Sequence, residues 1–591
     1  MLGTIIEIKE NTVLIKLEVD TRKVQSLSNL LVVMQDEDAT YVGEINNVTK
    51  DKASINLLGE IQNDKFVFGV IRKPSFNAVV KLVSKEKVKN LISFDSEKED
   101  EMLYIGKSTI YDNIDINVGI NDFFSNHFAI FGSTGSGKSC GVSRIVQNLF
   151  SKDRMIPYRS SIFIFDAYGE YHSAFKQFND DRPEINFKAY TTDIKSKDSE
   201  LLRIPVWLLG VDDIALLLGA TNHNQLPIIE KALKLVSVFG REEEKVIKTK
   251  NDIIARALID ILSSGKESSQ IRDQIFSVLS YYNTSELNLN TVVEQPGYSR
   301  ALNKCFNLDN TGKLRDMELV MNFFESYLNE DYELNLPDGS FKYTLNDLKD
   351  AFDFALISEG VLKSEKIYDE ANILKVRLHS LVNSNDAMYF DYPEYISKLD
   401  YIKSLITAEN GKKAQIINFN INYIDDRLAK TITKIYSKML FDFSKENKVK
   451  NSLPFHIVLE EAHRYVQNDN DIFLLGYNIF ERITKEGRKY GVILGFISQR
   501  PSELSETAIS QCSNFLIFKM LHPKDVEYIR EMLPNITNEI IGRLRILQPG
   551  NCIAFGNAFK IPVLIKMDMP DPAPTSSSCD LTKSWFVKKN S

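Results

Sequence analysis

The chain is poor in the residues that staple folds together or carry them through membranes. Its 591 residues include five cysteines, Cys140, Cys305, Cys512, Cys552 and Cys579, none in C-x-x-C spacing. That scatter excludes a zinc ribbon or a disulfide framework and suits a reducing compartment. No window approaches 18 consecutive apolar residues, and residues 1–10 hold no basic stretch leading into an apolar core. A cytoplasmic protein, neither secreted nor membrane-spanning, is expected. The seven histidines form no H-E-x-x-H or other ligand spacing, so His172, His456 and His463 read as structural. Positive charge is not in excess either: 72 Lys and Arg against 80 Asp and Glu leave a net charge of −8. Any nucleic-acid contact must then come from local clusters or a lined channel. The mixed-sign run at residues 241–250 reads either as a solvated helix face or as one turned to DNA.

What is present is ordinary globular material, 43% hydrophobic and 26% charged, in a length that suits two to four domains of about 100–200 residues each. Residues 1–95 alternate in short β-rich runs, 4–9, 12–17, 30–34, 41–45, 53–58 and 66–71, separated by polar turns as in a small barrel. From residue 103 strands alternate with helices, the pattern of a parallel sheet. Its core strands are read at 128–131, 162–165, 415–419, 455–459, 492–497 and 515–518. The expected α/β core therefore comprises 103–194 and 411–568, interrupted by an inserted helical domain at 195–410. Within that insertion 228–239 and 374–381 have helical spacing, and 283–291 and 331–338 are polar loops. Residues 569–591 form a Pro/Ser-rich tail, of a kind that dangles or braces a neighbour.

The sharpest local signal is Gly132, Ser133, Thr134, Gly135, Ser136, Gly137, Lys138 and Ser139, which satisfies G-x-x-x-x-G-K-[ST] between an apolar strand and an amphipathic helix that continues through Cys140. In that setting backbone N–H groups and the helix N-terminus wrap nucleotide phosphates, Lys138 neutralises the β/γ oxygens and Ser139 ligates Mg²⁺. ATP and Mg²⁺ are the expected ligands.

Hydrolysis needs a carboxylate strand, and residues 455–461 supply an apolar strand ending in Glu460 and Glu461. Glu460 reads as support for Mg²⁺ and Glu461 as the group that polarises the attacking water; the alternative is an acidic cap for the next helix. Asp166, at the carboxyl end of a second buried strand, either contacts Mg²⁺ through water or caps the following turn, with Glu170 less defined. Gln499 ends a third strand, where a glutamine orients water or senses hydrolysis. Arg488 is the candidate for an arginine acting across a subunit boundary, the alternatives being a solvated basic turn and Arg500 in the same role.

Together Gly132–Ser139, Asp166-Ala-Tyr-Gly-Glu-Tyr171, Ile204-Pro-Val-Trp-Leu-Leu209, Leu459-Glu-Glu-Ala-His-Arg-Tyr465, Glu486-Gly-Arg-Lys-Tyr-Gly491 and Ser498-Gln-Arg-Pro501 resemble the HerA family of hexameric DNA translocases, over nearly the whole chain. The resemblance implies an α/β RecA-like P-loop NTPase core of the FtsK/HerA type, with an N-terminal β-barrel, an inserted helical bundle and a C-terminal brace. It implies a hexameric homo-oligomeric ring that threads double-stranded DNA and hydrolyses ATP, with Lys138, Ser139, Glu460, Glu461 and Gln499 carried over by motif. It also implies an effector docked on the barrel, such as a NurA-like nuclease or, in antiphage systems, a sirtuin-like NAD-degrading enzyme. Two departures stand out: Glu460 occupies a position where many P-loop enzymes have Asp, and Asn126-His127 supplies no arginine before the first strand. A ring that only scaffolds an effector is the alternative function, and a conjugation or segregation pump a third.

Overall fold

The computed structural model describes all residues except 20–25, 64, 95–98, 113, 153–154, 183, 242–243, 296, 330–334, 361–364, 448–452, 533–537, 576–580 and 586–591. Cys579 and parts of the 241–250 run, the 331–338 loop and the 569–591 tail thus lie outside the described residues. The chain divides into two compact units, one of residues 1–200, 404–468 and 479–591, the other of 201–403 and 469–478.

In the first unit the N-terminal strands close into a six-stranded barrel, because Thr12–Leu17 pairs with both Gly3–Lys9 and Lys52–Gln62. Val13, Ile15, Val32, Met34, Ile45, Ile55 and Val80 fill its interior. One strand differs from the sequence reading. The strand that completes the ring is Val79–Leu82, between Leu31–Gln35 and Gly3–Lys9, while Lys65–Phe68 is a hairpin extension paired only with Lys52–Gln62. Aromatic content gives Lys65–Phe68 the pattern of barrel wall, yet Val67 and Phe68 are exposed and the four-residue Val79–Leu82 buries Val80. Membership of a closed sheet depends on a partner, not on hydrophobicity alone.

The rest of this unit is built on a 12-stranded sheet, with the two-residue strand Glu200–Leu201 at one edge. Its parallel part runs Phe187–Thr191, Ile416–Asn420, Ser161–Asp166, Phe455–Leu459, Val492–Ser498, Phe128–Phe131, Asn514–Phe518. An antiparallel flank follows, Asn551–Gly556, Val563–Lys566, Met102–Ser108 and Asp115–Gly119. The central strands read as unbroken apolar runs because helices cover both faces: every residue of Ser161–Asp166 and Val492–Ser498 is buried. Gly495 is required inside that run, since a Cβ there would lie 2.3 Å from the Phe128 ring. Phe187–Thr191 and the two strands at 102–119 were not anticipated, because their apolar residues alternate with lysine, asparagine and aspartate as loop segments do.

The second unit is helical, with Val211–Leu218, Leu226–Phe239, Glu244–Leu262, Ser268–Tyr281, Met317–Glu325, Leu345–Gly360 and Glu365–Val382 as its main helices and one small hairpin, Val292–Gln295 with Tyr298–Ala301. Leu226–Phe239 shows why the spacing is informative: Ile228, Ile229, Ala232, Leu233, Leu235 and Val236 are all buried. Among the described residues no helix is long and apolar enough to cross a membrane.

Candidate nucleotide-binding site

The phosphate-loop strand, Phe128–Phe131, sits between Val492–Ser498 and Asn514–Phe518, and its loop leaves the carboxyl edge of the sheet. That is where ligands collect in open α/β sheets. The loop is tied to both neighbours: Gly132 N–H donates to Ser498 O at 3.2 Å, and Ser133 N–H to Lys519 O at 2.8 Å. Gly137 has φ 104°, and a Cβ there would approach the Gly550 nitrogen to 3.0 Å. Only glycine enters the helix Lys138–Phe150 by this route. Lys138 Nζ donates back to Ser133 O at 3.1 Å, and the buried Ser136 hydroxyl has no hydrogen-bond partner. A buried hydroxyl and a lysine turned to the same loop are donors of the kind that suit phosphate oxygens.

Glu460 and Glu461 both lie 3% exposed against this loop. Two consecutive residues of a regular strand would face opposite sides. Here the strand ends at Leu459 and Glu461 adopts a left-handed conformation, φ 48°, which turns both acids inward. A non-glycine residue in that region stores strain and marks a position held by its surroundings. Glu460 Oε2 accepts from Ala167 N–H at 3.1 Å. Glu461 Oε1 accepts from Gln499 Nε2, and Gln499 Oε1 accepts from the Thr134 hydroxyl. The phosphate loop, the acidic strand and the Gln499 tip are thereby one connected network.

The electrostatics are those of crowded buried acids around one buried lysine. Burial, reinforced by Asp166 and Glu170, pushes the Glu460 carboxyl well above its usual range. Burial likewise raises Glu170, with the Ser139 hydroxyl and Lys138 opposing, and raises the half-buried Cys140 thiol. Lys138 is pulled down by burial, against the attraction of Glu461, Glu460 and Glu170. Among the described residues no group of three or more His, Cys, Asp or Glu is arranged to hold a metal by itself. Mg²⁺ suits this donor set, since it binds one or two protein oxygens and completes its shell with phosphates and water.

Asp166 does not fit as a metal ligand. Its Oδ1 accepts from Gly169 N–H at 2.7 Å and Glu170 N–H at 3.0 Å, and its Oδ2 from Tyr171 N–H at 3.0 Å and Asn418 Nδ2 at 3.2 Å. All four lone-pair directions are taken, so the reading of Asp166 as a metal contact gives way to that of a turn cap. Asp166→Ala is expected to cost about 2–4 kcal/mol of stability, by leaving several buried donors unpaired, measured by denaturant unfolding. A variant as stable as the parent rules out this role.

Arg488 is exposed in the turn Gly487–Tyr490, at the amino end of Val492–Ser498. The strand carries it roughly 20 Å from Gln499, and its charge is felt instead by His127 at that opposite edge. Within one chain it does not join the site. Arg500 lies on the same edge as Gln499 and is exposed, with Nη1 donating to Glu503 at 2.8 Å.

Two parts of the site escaped the sequence reading. His463, two residues beyond Glu461, lies against that carboxylate, and only the backbone kink brings it there. The tail, through Thr575, runs over its own nucleotide-binding face: Asp571 N–H donates to Gln147 Oε1, Gln147 Nε2 to Pro572 O, and Thr575 N–H to Glu170 O, at 2.8–3.0 Å. Polar side chains on a helix carry no sequence signal for a tail that far away.

Residues 103–440, more than half of the chain, match the family described as "Helicase HerA, central domain". The DNA double-strand break repair helicase HerA of Saccharolobus solfataricus is 25% identical over 584 residues, covering 94% of this chain and 90% of that protein. The Pyrococcus furiosus protein of the same name is 22% identical, covering 96% and 85%. Among solved structures, VirB4 of Thermoanaerobacter pseudethanolicus aligns with a TM-score of 0.41 at 13% identity, over 80% of this chain and 98% of that one. With that family match over more than half of the chain, and a phosphate loop, paired acids and Gln499 on the carboxyl edge of its parallel sheet, the chain belongs to the HerA helicase family.

Proposed function

We propose that this chain is the subunit of a hexameric ring that hydrolyses ATP to move along double-stranded DNA, in the cytoplasm and together with an effector. The observation that carries this reading is the assembled site: Lys138, Glu460, Glu461 and Gln499 on one sheet edge, with Glu461 and Gln499 hydrogen-bonded to the loop through Thr134. The names of the relatives support DNA as the track and DNA end processing as the setting.

In the proposed reaction the loop amides, Ser136 and Lys138 bind and neutralise the β and γ phosphates. Ser139 and Glu460 would hold Mg²⁺, which would supply positive charge against the phosphate oxygens. Glu461 takes the proton of the water that attacks the γ-phosphorus, and Gln499 keeps its carboxylate in place. Thr134 and Gln499 meet at the loop, so loss of the γ-phosphate is felt at the Val492–Ser498 strand. Arg488, exposed on the opposite sheet edge, is available to a neighbouring subunit's nucleotide and not to its own.

The barrel's unpaired Lys65–Phe68 edge, with Val67 and Phe68 exposed, supports docking of a partner there, whether a NurA-like nuclease or a sirtuin-like NAD-degrading enzyme of an antiphage system. The same edge favours a second reading, a ring that assembles and activates the effector without processive transport. Steady-state ATP hydrolysis with and without linear duplex DNA separates the two. Transport predicts stimulation that fades as salt rises, because phosphate contacts release counterions. Hydrolysis indifferent to DNA at low salt refutes transport.

A further inference from the structure

We infer that His463 is a positioning residue for Glu461, holding the free oxygen of its carboxylate so that the other stays on Gln499. The inference rests on the proposed role of Glu461 as the base.

Glu461 leaves its strand in the left-handed region, and Ala462–Arg464 forms one tight turn closed by Arg464 N–H donating to Glu461 O at 2.8 Å. That turn folds the imidazole back over the acid. Nδ1 comes to 3.2 Å from Glu461 Oε2 and 3.1 Å from the Ser498 hydroxyl. Glu461 Oε1 is already engaged by Gln499. Oε2 is sealed from water and makes no well-aligned hydrogen bond, so the ring nitrogen is the polar neighbour that defines its surroundings. A buried carboxylate held at one oxygen swings about its terminal torsion, which is broad and two-fold. Contact at the second oxygen confines it.

Ser498 makes the contact more than local. Its carbonyl accepts from Gly132 N–H and its hydroxyl from Arg500 N–H at 3.0 Å. His463 therefore bridges the acid that faces water to the strand tip that anchors the phosphate loop. With the proton on Nε2 the Ser498 hydroxyl donates to Nδ1; with it on Nδ1 the ring N–H lies against the carboxylate as a close polar contact, short of an aligned hydrogen bond. Only with the proton on Nδ1 does the ring attract the carboxylate, and the same nitrogen then also faces the Ser498 hydroxyl of the loop-anchoring strand tip.

The test compares H463A, H463N and H463Q in the full chain. An asparagine places its amide nitrogen near the position of Nδ1, whereas a glutamine reaches toward Nε2. H463A is expected to lower kcat by about ten- to a hundredfold, the usual cost of losing an outer-shell partner, with ATP affinity unchanged. H463N is expected to recover most of that loss and H463Q little. In an E461Q background, H463A should remove nothing further, because the two act as one unit. Hydrolysis at the parent rate in H463A, equal recovery by H463N and H463Q, a parallel fall in ATP affinity, or an additional loss in the E461Q background each overturns the inference. If H463A does not fold, the contrast between H463N and H463Q decides alone. Should E461Q itself hydrolyse ATP at the parent rate, the base assignment fails first and takes this inference with it.

Discussion

Glu461→Gln is expected to bind ATP as the parent does and to turn it over about 10²–10⁴-fold more slowly, the range a positioned general base supplies. The amide keeps the shape of the carboxylate and an oxygen to accept from Gln499 Nε2, so the network linking Thr134, Gln499 and the acidic strand survives. What goes is the capacity to take a proton. Removing one buried negative charge beside Glu460 and Glu170 also relieves repulsion, so the fold should hold at least as well. Equilibrium binding of a fluorescent ATP analogue and single-turnover hydrolysis check the two halves separately. Unchanged hydrolysis places the base elsewhere; lost binding makes Glu461 a structural acid.

Lys138→Ala is expected to weaken ATP binding by about a hundredfold or more, since truncating one member of a buried charge pair costs about 2–5 kcal/mol. The lysine is buried and surrounded by Glu461, Glu460 and Glu170, whereas Arg500 on that edge is exposed and paired with Glu503. Binding of ATP at the parent affinity contradicts the phosphate assignment. The variant also serves as a partner. Alone, Lys138→Ala and Arg488→Ala should both be inactive; mixed, some interfaces pair an intact Lys138 with an intact Arg488, and part of the activity should return. No recovery at any ratio removes Arg488 from the site and leaves Arg500, on the same edge as Gln499, as the arginine to test.

The legible parts of this molecule share a physical cause. The phosphate loop is readable because each of its demands, a left-handed entry at Gly137, close approach at Gly132, a cation at Lys138, is met by a residue type that little else replaces. The buried strands are readable because seven or fewer apolar residues between polar ends have one economical home in a parallel sheet. Glu460 and Glu461 were legible as a pair, but a regular strand would have separated them.

What was not legible depends on partners far away in the chain. Asp166 was poised between metal contact and cap, and the four donors that decide it include Asn418, 252 residues distant. Val79–Leu82 closes the barrel because Gly3–Lys9 and Leu31–Gln35 leave a gap of its width, and the tail is held at Gln147 by hydrogen bonds with residues more than 400 positions away. By itself the sequence determined the chemistry: a nucleotide-binding loop, an acidic strand and a polar strand tip, with the order that relates them to a family. Tertiary structure alone decided which atoms meet. The turn at Glu461 brought His463 to the base, and the length of a strand put Arg488 beyond its own site. Residue types and spacings are local quantities, whereas buried polar groups choose partners by geometry, which only the assembled sheet supplies.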